Sequence, residues 1–203
     1  MKQRTFFPLA IGLVVFFSWL AFVPDAEAVQ IKRVVRGIAN FDTDDVAQEA
    51  TLRDSAGNAV AVDQTKSIIL TSAVGDAAND QNQFFTADFA GDDTISMDRG
   101  GGTGISTCVW QVVEFSSGVS VQRGLAVVNS TTKSKSITIS GITIAKSVPV
   151  ILTRGGFNSQ TVTDQITFNP TFMDSTHLKL DRSDNGSGKV VSVVWQVVQF
   201  NTD

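Results

Sequence analysis

An octapeptide near the middle of the chain, CVWQVVEF at residues 108–115, returns as VVWQVVQF at residues 193–200. Whatever this segment folds into must therefore form twice. Other landmarks recur in the same order. Val35-Arg36-Gly37 is answered by Gln122-Arg123-Gly124, Lys66-Ser67 before IILTS by Lys146-Ser147 before VPVILTR, Phe89 by Phe172, and Asp98-Arg99 by Asp181-Arg182. The offsets drift between about 80 and 87 residues, so insertions and deletions fall between landmarks, where loops tolerate them. A unit of that length is a small domain rather than a solenoid repeat. The expected division is a leader at 1–28, repeat A at 29–116 and repeat B at 117–203.

Inside each repeat the apolar segments are short, rich in β-branched and aromatic residues, and broken by Gly, Asn, Asp and Ser at intervals of roughly 8 to 15 residues. No segment after residue 28 sustains helical spacing. The expected fold is all-β: two tandem antiparallel six-stranded β-sandwich domains. The strands are placed near 30–40, 47–53, 66–72, 84–90, 94–99 and 105–115, then 119–128, 135–140, 147–154, 164–172, 176–182 and 189–200. The recurring octapeptide is apolar on both alternating faces, which predicts a central strand. Its Gln111 and Gln196 need hydrogen-bond partners wherever they are buried. The structural residues singled out are Trp110, Trp195, Arg36, Gly37, Arg123, Gly124, Phe115 and Phe200. The glycine-rich stretches after Arg99 and Arg182 are read as hairpin turns.

Lys2 and Arg4 precede a largely apolar run from Phe6 to Val23, followed by Pro24 and the small-x-small triplet Ala26-Glu27-Ala28. This is the three-part pattern of a cleaved export signal. It places the remainder outside the cell or on its surface, with no membrane segment after cleavage. With Cys108 the only cysteine, an internal disulfide is impossible and packing must hold the fold. Its counterpart is Val193, so a buried apolar role is expected.

The chain is poor in catalytic material. Its one histidine, His177, is aligned with Ile95, and neither a repeated His-based dyad nor a His-rich metal site can be built. Gly100 to Gly104 lacks the Lys and the helix of a phosphate-binding loop. Asp88, Asp92, Asp93 and Asp98 crowd one region, but only Asp98 has an acidic counterpart, Asp181, so turn capping is the preferred reading over glycosidase chemistry. A net charge of -4 without a basic patch disfavours nucleic acid as a partner. Calcium is the one metal considered, with hard oxygen ligands offered by Asp42, Asp44, Asp45, Asp76 and Asp80. The chain has no Tyr, and both tryptophans after the leader lie inside apolar strands, so a sugar site would rest on loop polar groups with Phe41 or Phe157. Asn129-Ser130-Thr131 and Asn185-Gly186-Ser187 match the N-glycosylation pattern.

VSVQRG at 119–124 and WQVVEF at 110–115 resemble repeats of uncharacterised bacterial and phage surface proteins, a likeness that names no activity. The order of Ser136 to Ile139, Pro149 to Leu152 and Trp195 is more distantly similar to the H-type lectin sandwich, which implies six strands, trimer formation and binding of galactosamine-type sugars. The expectation is a non-enzymatic secreted or cell-surface protein of structure, adhesion or assembly. Self-association, head to tail into a filament, is one form, with strand 29–37 of a neighbour placed as 119–124 is placed against the first repeat. A lectin-like module for a surface glycan is the alternative.

Overall fold

The computed structural model describes residues 28–75, 83–101, 104–155, 166–183 and 190–201, leaving the leader, Asp76, Asp80, Phe157 and Asn185 outside the described residues. The first repeat supplies β1 (Gln30–Phe41), β2 (Ala47–Thr51), β3 (Ser67–Gly75), β4 (Phe85–Gly91), β5 (Thr94–Arg99) and β6 (Ser106–Ser117). The second supplies β7 (Val119–Val128), β8 (Ser134–Thr138), β9 (Ser147–Gly155), β10 (Asn169–Asp174), β11 (His177–Asp181) and β12 (Val191–Phe200). The architecture is all-β, with four three-stranded antiparallel sheets in the orders β1-β6-β3, β2-β5-β4, β7-β12-β9 and β10-β11-β8. No helix among the described residues is long and apolar enough to cross a membrane.

In each repeat the two sheets face each other across a core built by period-two alternation. Val35, Ile69, Cys108, Trp110 and Val112 of one sheet meet Phe85, Ala87, Ile95 and Met97 of the other. In the second repeat Ala126, Val128, Val193, Trp195 and Val197 meet Leu178 and Leu180. β6 and β12 are the central strands of their sheets, as their two-sided apolarity requires.

Three alignments differ from the sequence reading. The glycine-rich segments after Arg99 and Arg182 are not hairpins, because β5 and β6, like β11 and β12, belong to opposite sheets; the chain crosses the sandwich there. Ile69 pairs with Val112 and Pro149 with Val197, so β3 and β9 align without a gap, and the shared Ile-Leu-Thr triplets are offset by two residues. An even slip keeps every side chain on its face, which is why the triplets misled. Finally, His177 pairs with Asp174 as Thr94 pairs with Gly91, and the counterpart of Ile95 is Leu178, both fully buried.

The repeats are joined by one residue, Gly118, whose φ of 72° is readily available to glycine. Its carbonyl accepts from the N–H of Asn201 at 2.8 Å, tying the joint to the end of β12. Around it Phe115, Val119, Val121 and Val198 form a buried cluster with Ile68, Val113, Val150 and Phe200 packed against it, so Phe115 and its counterpart Phe200 meet at the junction.

Candidate interaction site

The two recurring dipeptides, Arg-Gly and Trp-Gln, are one structural device. Gly37 lies directly across from Trp110 and Arg36 across from Gln111; Gly124 and Arg123 face Trp195 and Gln196 in the same way. Alternation sends the Gly–Trp pair into the core and the Arg–Gln pair out. A Cβ on Gly124 would lie 2.7 Å from the Trp195 indole, and one on Gly37 would clash still more closely with that of Trp110. The glycine is thus the seat of the ring, which is 4% exposed at Trp110 and 8% at Trp195.

The outward pair of the second repeat grips the first. Gln196, fully buried, accepts from the N–H of Ile69 and donates to its carbonyl, both at 2.8 Å. One side-chain amide thereby satisfies both exposed peptide groups of an edge-strand residue. Arg123 donates through Nη2 to the carbonyls of Gln64 and Ser67, each at 2.5 Å. Its guanidinium lies 4.5 Å from the centroid of the Phe89 ring and 3.7 Å from Asp88. Burial pulls the Arg123 pKa down, and Asp88 pulls it back up. Val194 and Leu152 beside this pair are buried in the first repeat's core cluster. The outer face of β7-β12-β9 is therefore an interface, seated on the β3–β4 edge of the first repeat.

The same face of β1-β6-β3 is open. Arg36 and Gln111 are exposed, and around them so are Val34, Ile38, Leu70, Val74 and Val109. Four of those apolar side chains are between 39% and 65% exposed and contiguous across three paired strands, Val74 being more exposed still. Clustered apolar exposure flanking a polar pair is the mark of a contact surface.

The remaining candidates sit elsewhere. The carbonyls of Asp42 and Asp45 accept from the fully buried Arg99, and the Asp45 carboxylate accepts from the Asp42 N–H and from Gln48. Those bonds hold its pKa below the usual carboxylate value. Asp44 has a positive φ of 80°. Among the described residues no group of three or more His, Cys, Asp or Glu is placed to hold a metal. Arg182 repeats the Arg99 role, donating to the carbonyls of Thr132 and Asn129. Asp88 is engaged by Arg123, while Asp92 accepts from Gln64, Asp93 from Thr94, and Asp181 pairs with Lys179 at 2.9 Å. Phe41 is only 1% exposed, beneath Arg99 and against Phe85. A depression of about 680 Å³ beside it is lined by Asn40, Asp42, Val74, Ile105 and Thr107. Cys108 is fully buried, its pKa pushed up to about 11 by that burial.

Sequence reasoning found Arg36, Gly37, Arg123, Gly124 and both Trp-Gln pairs but missed Gln64, Ser67, Ile69, Asp88 and Phe89 as the receptor of Arg123 and Gln196. The signal available was the run Lys66-Ser67 and the recurring phenylalanine, both already aligned. The fold and this site define a tandem β-sandwich with one interface occupied and its twin open. No protein-family model, curated protein or solved structure matches the chain significantly.

Proposed function

We propose that this chain is a secreted or cell-surface structural protein without catalytic activity, whose task is assembly. The observation that supports this is the Arg–Gln pair itself: a docking device repeated twice, buried against a neighbour in one repeat and presented to solvent in the other. Solvated surfaces favour charged side chains, whereas this one carries valine, isoleucine and leucine around a single guanidinium and amide. Docking, not strand addition, is the mode, because the occupied interface runs through side chains of a sheet face meeting a strand edge. The processed protein, purified at high concentration, is expected to form species larger than one chain by light scattering and elongated particles by electron microscopy. A strictly monomeric protein that instead gives hits on a glycan array would transfer the reading to a lectin-like module.

A further inference from the structure

Every element of the receptor on the first repeat has a counterpart on the second. Ser67 pairs with Glu114 as Ser147 pairs with Gln199, and Ile69 pairs with Val112 as Pro149 pairs with Val197. On the opposite sheet Asp88 faces Ser96 as Thr171 faces Lys179, and Phe89 faces Ile95 as Phe172 faces Leu178. The 3₁₀ turn Gln64–Lys66 corresponds to Ile144–Lys146. This second edge is open: Ser67 and Ile69 are fully buried, while Ser147 and Pro149 are partly exposed. Beside them Ile144, Val148 and Met173 are 46%, 49% and 59% exposed.

Resting on the assembly reading above, we propose that the open face of β1-β6-β3 docks on the Ile144–Val150 and Thr171–Phe172 edge of a second copy of this chain. Arg36 takes the carbonyls of residues 144 and 147 and stacks on the ring of Phe172, and Gln111 donates to the carbonyl of Pro149. The contact is heterologous, joining two different surfaces, so repeating it propagates rather than closing on a two-fold axis.

Two substitutions make this junction a weakened version of the one inside the chain. Pro149 has no N–H, so the amide of Gln111 keeps one of the two bonds that Gln196 makes with Ile69. Thr171 stands where Asp88 does, so Arg36 meets no carboxylate. A proline on an edge strand also stops a foreign strand from pairing there, which restricts the edge to side-chain docking. The intrachain contact is thus permanent and the interchain contact dependent on concentration.

Sedimentation velocity of the processed chain over a concentration series tests this with three variants. Restoring the carboxylate by Thr171→Asp is expected to tighten self-association about tenfold, in the range of close interfacial charge pairs. Pro149→Ile, restoring the N–H, is expected to tighten it as well. Arg36→Ala, on an exposed side chain, is expected to abolish both the wild-type association and the Thr171→Asp gain while leaving the melting temperature of the monomer unchanged. Association of Arg36→Ala equal to wild type overturns this interface and leaves assembly standing on another surface. If wild type and Thr171→Asp both remain monomeric at about millimolar concentration, beyond any biologically useful affinity, the interface and the assembly reading fall together.

Discussion

Gln111 and Gln196 occupy the same place in the same strand of the same sheet, yet one is in water and the other is sealed against the backbone of Ile69. Arg36 and Arg123 differ in the same way. Strand propensity, alternation and the Gly–Trp seat are shared, so they cannot account for the difference. The cause is what lies opposite. The Arg-Gly and Trp-Gln pattern therefore has two halves: the inward half seats the core in both repeats, and the outward half makes a contact in the second repeat and faces solvent in the first.

The strongest way to break the comparison is at the inward half, where the repeats should behave alike. Trp110→Ala and Trp195→Ala are each expected to cost about 3 to 5 kcal/mol in urea unfolding, as core truncations beside a glycine that cannot fill the space. A near-neutral Trp110→Ala would mean the ring is not a core element. The outward half should separate the repeats. Gln196→Ala leaves both the N–H and the carbonyl of Ile69 buried without partners, at a cost of about 2 to 4 kcal/mol, whereas Gln111→Ala is expected to stay within about 0.5 kcal/mol. Equal effects from the two glutamines would erase the distinction between an occupied and an open face.

A smaller effect separates Cys108 from Val193. With the thiol near pKa 11, about one in a thousand is ionised at pH 8, so thiol reagents should label the protein only after denaturant is added. The folded pKa lies above the unfolded value of 9.0, so this thiol's contribution to stability is complete below pH 9 and is lost as pH rises through about 11. Replacing Cys108 with Val, the residue of the second repeat, should flatten that alkaline decline. The smallest effect lies at the β10–β11 turn. There Asp174 accepts from the backbone N–H of Thr176, from His177 and from the Thr176 hydroxyl, and its pKa falls from 3.8 to about 2. Its folded pKa is depressed, so the stabilisation is present above about pH 4 and fades as pH falls through 2. The first repeat has Gly91 at this place. A carboxyl titration by NMR that gave Asp174 an ordinary value would remove this difference.

Much of the architecture was legible because it rests on local periodicity: the duplication, the approximate positions of the strands other than β10, which starts at Asn169 rather than near 164, and the central placement of β6 and β12. The errors arose where non-local pairing decides. Nothing local distinguishes a turn within a sheet from a crossing between sheets, so the glycines after Arg99 were read as a hairpin. The Lys-Ser landmark carries the true register of β3 and β9, whereas the Ile-Leu-Thr likeness lies two residues off it, a slip that preserves facing. Of the site, the Arg-Gly and Trp-Gln halves were visible as landmarks, but their opposition across two strands required the register. Their receptor was less visible still, because Ile69 acts through its peptide group and any non-proline residue would do. Asp88 and Phe89 act through their side chains, but nothing local in the sequence marks them as facing Arg123.

The single-residue joint at Gly118 gives the molecule a mechanical character. A linker with slack lets two domains be pulled apart one contact at a time; here there is none to pay out. The phenylalanine pair at the joint, the Arg123 clamp and the Gln196–Ile69 bonds all bridge the two repeats, and Gly118 is itself tethered to Asn201. Separating the repeats therefore requires breaking these contacts as well as moving the joint. A one-residue joint flanked by such contacts leaves little room for the repeats to swing apart as on a hinge.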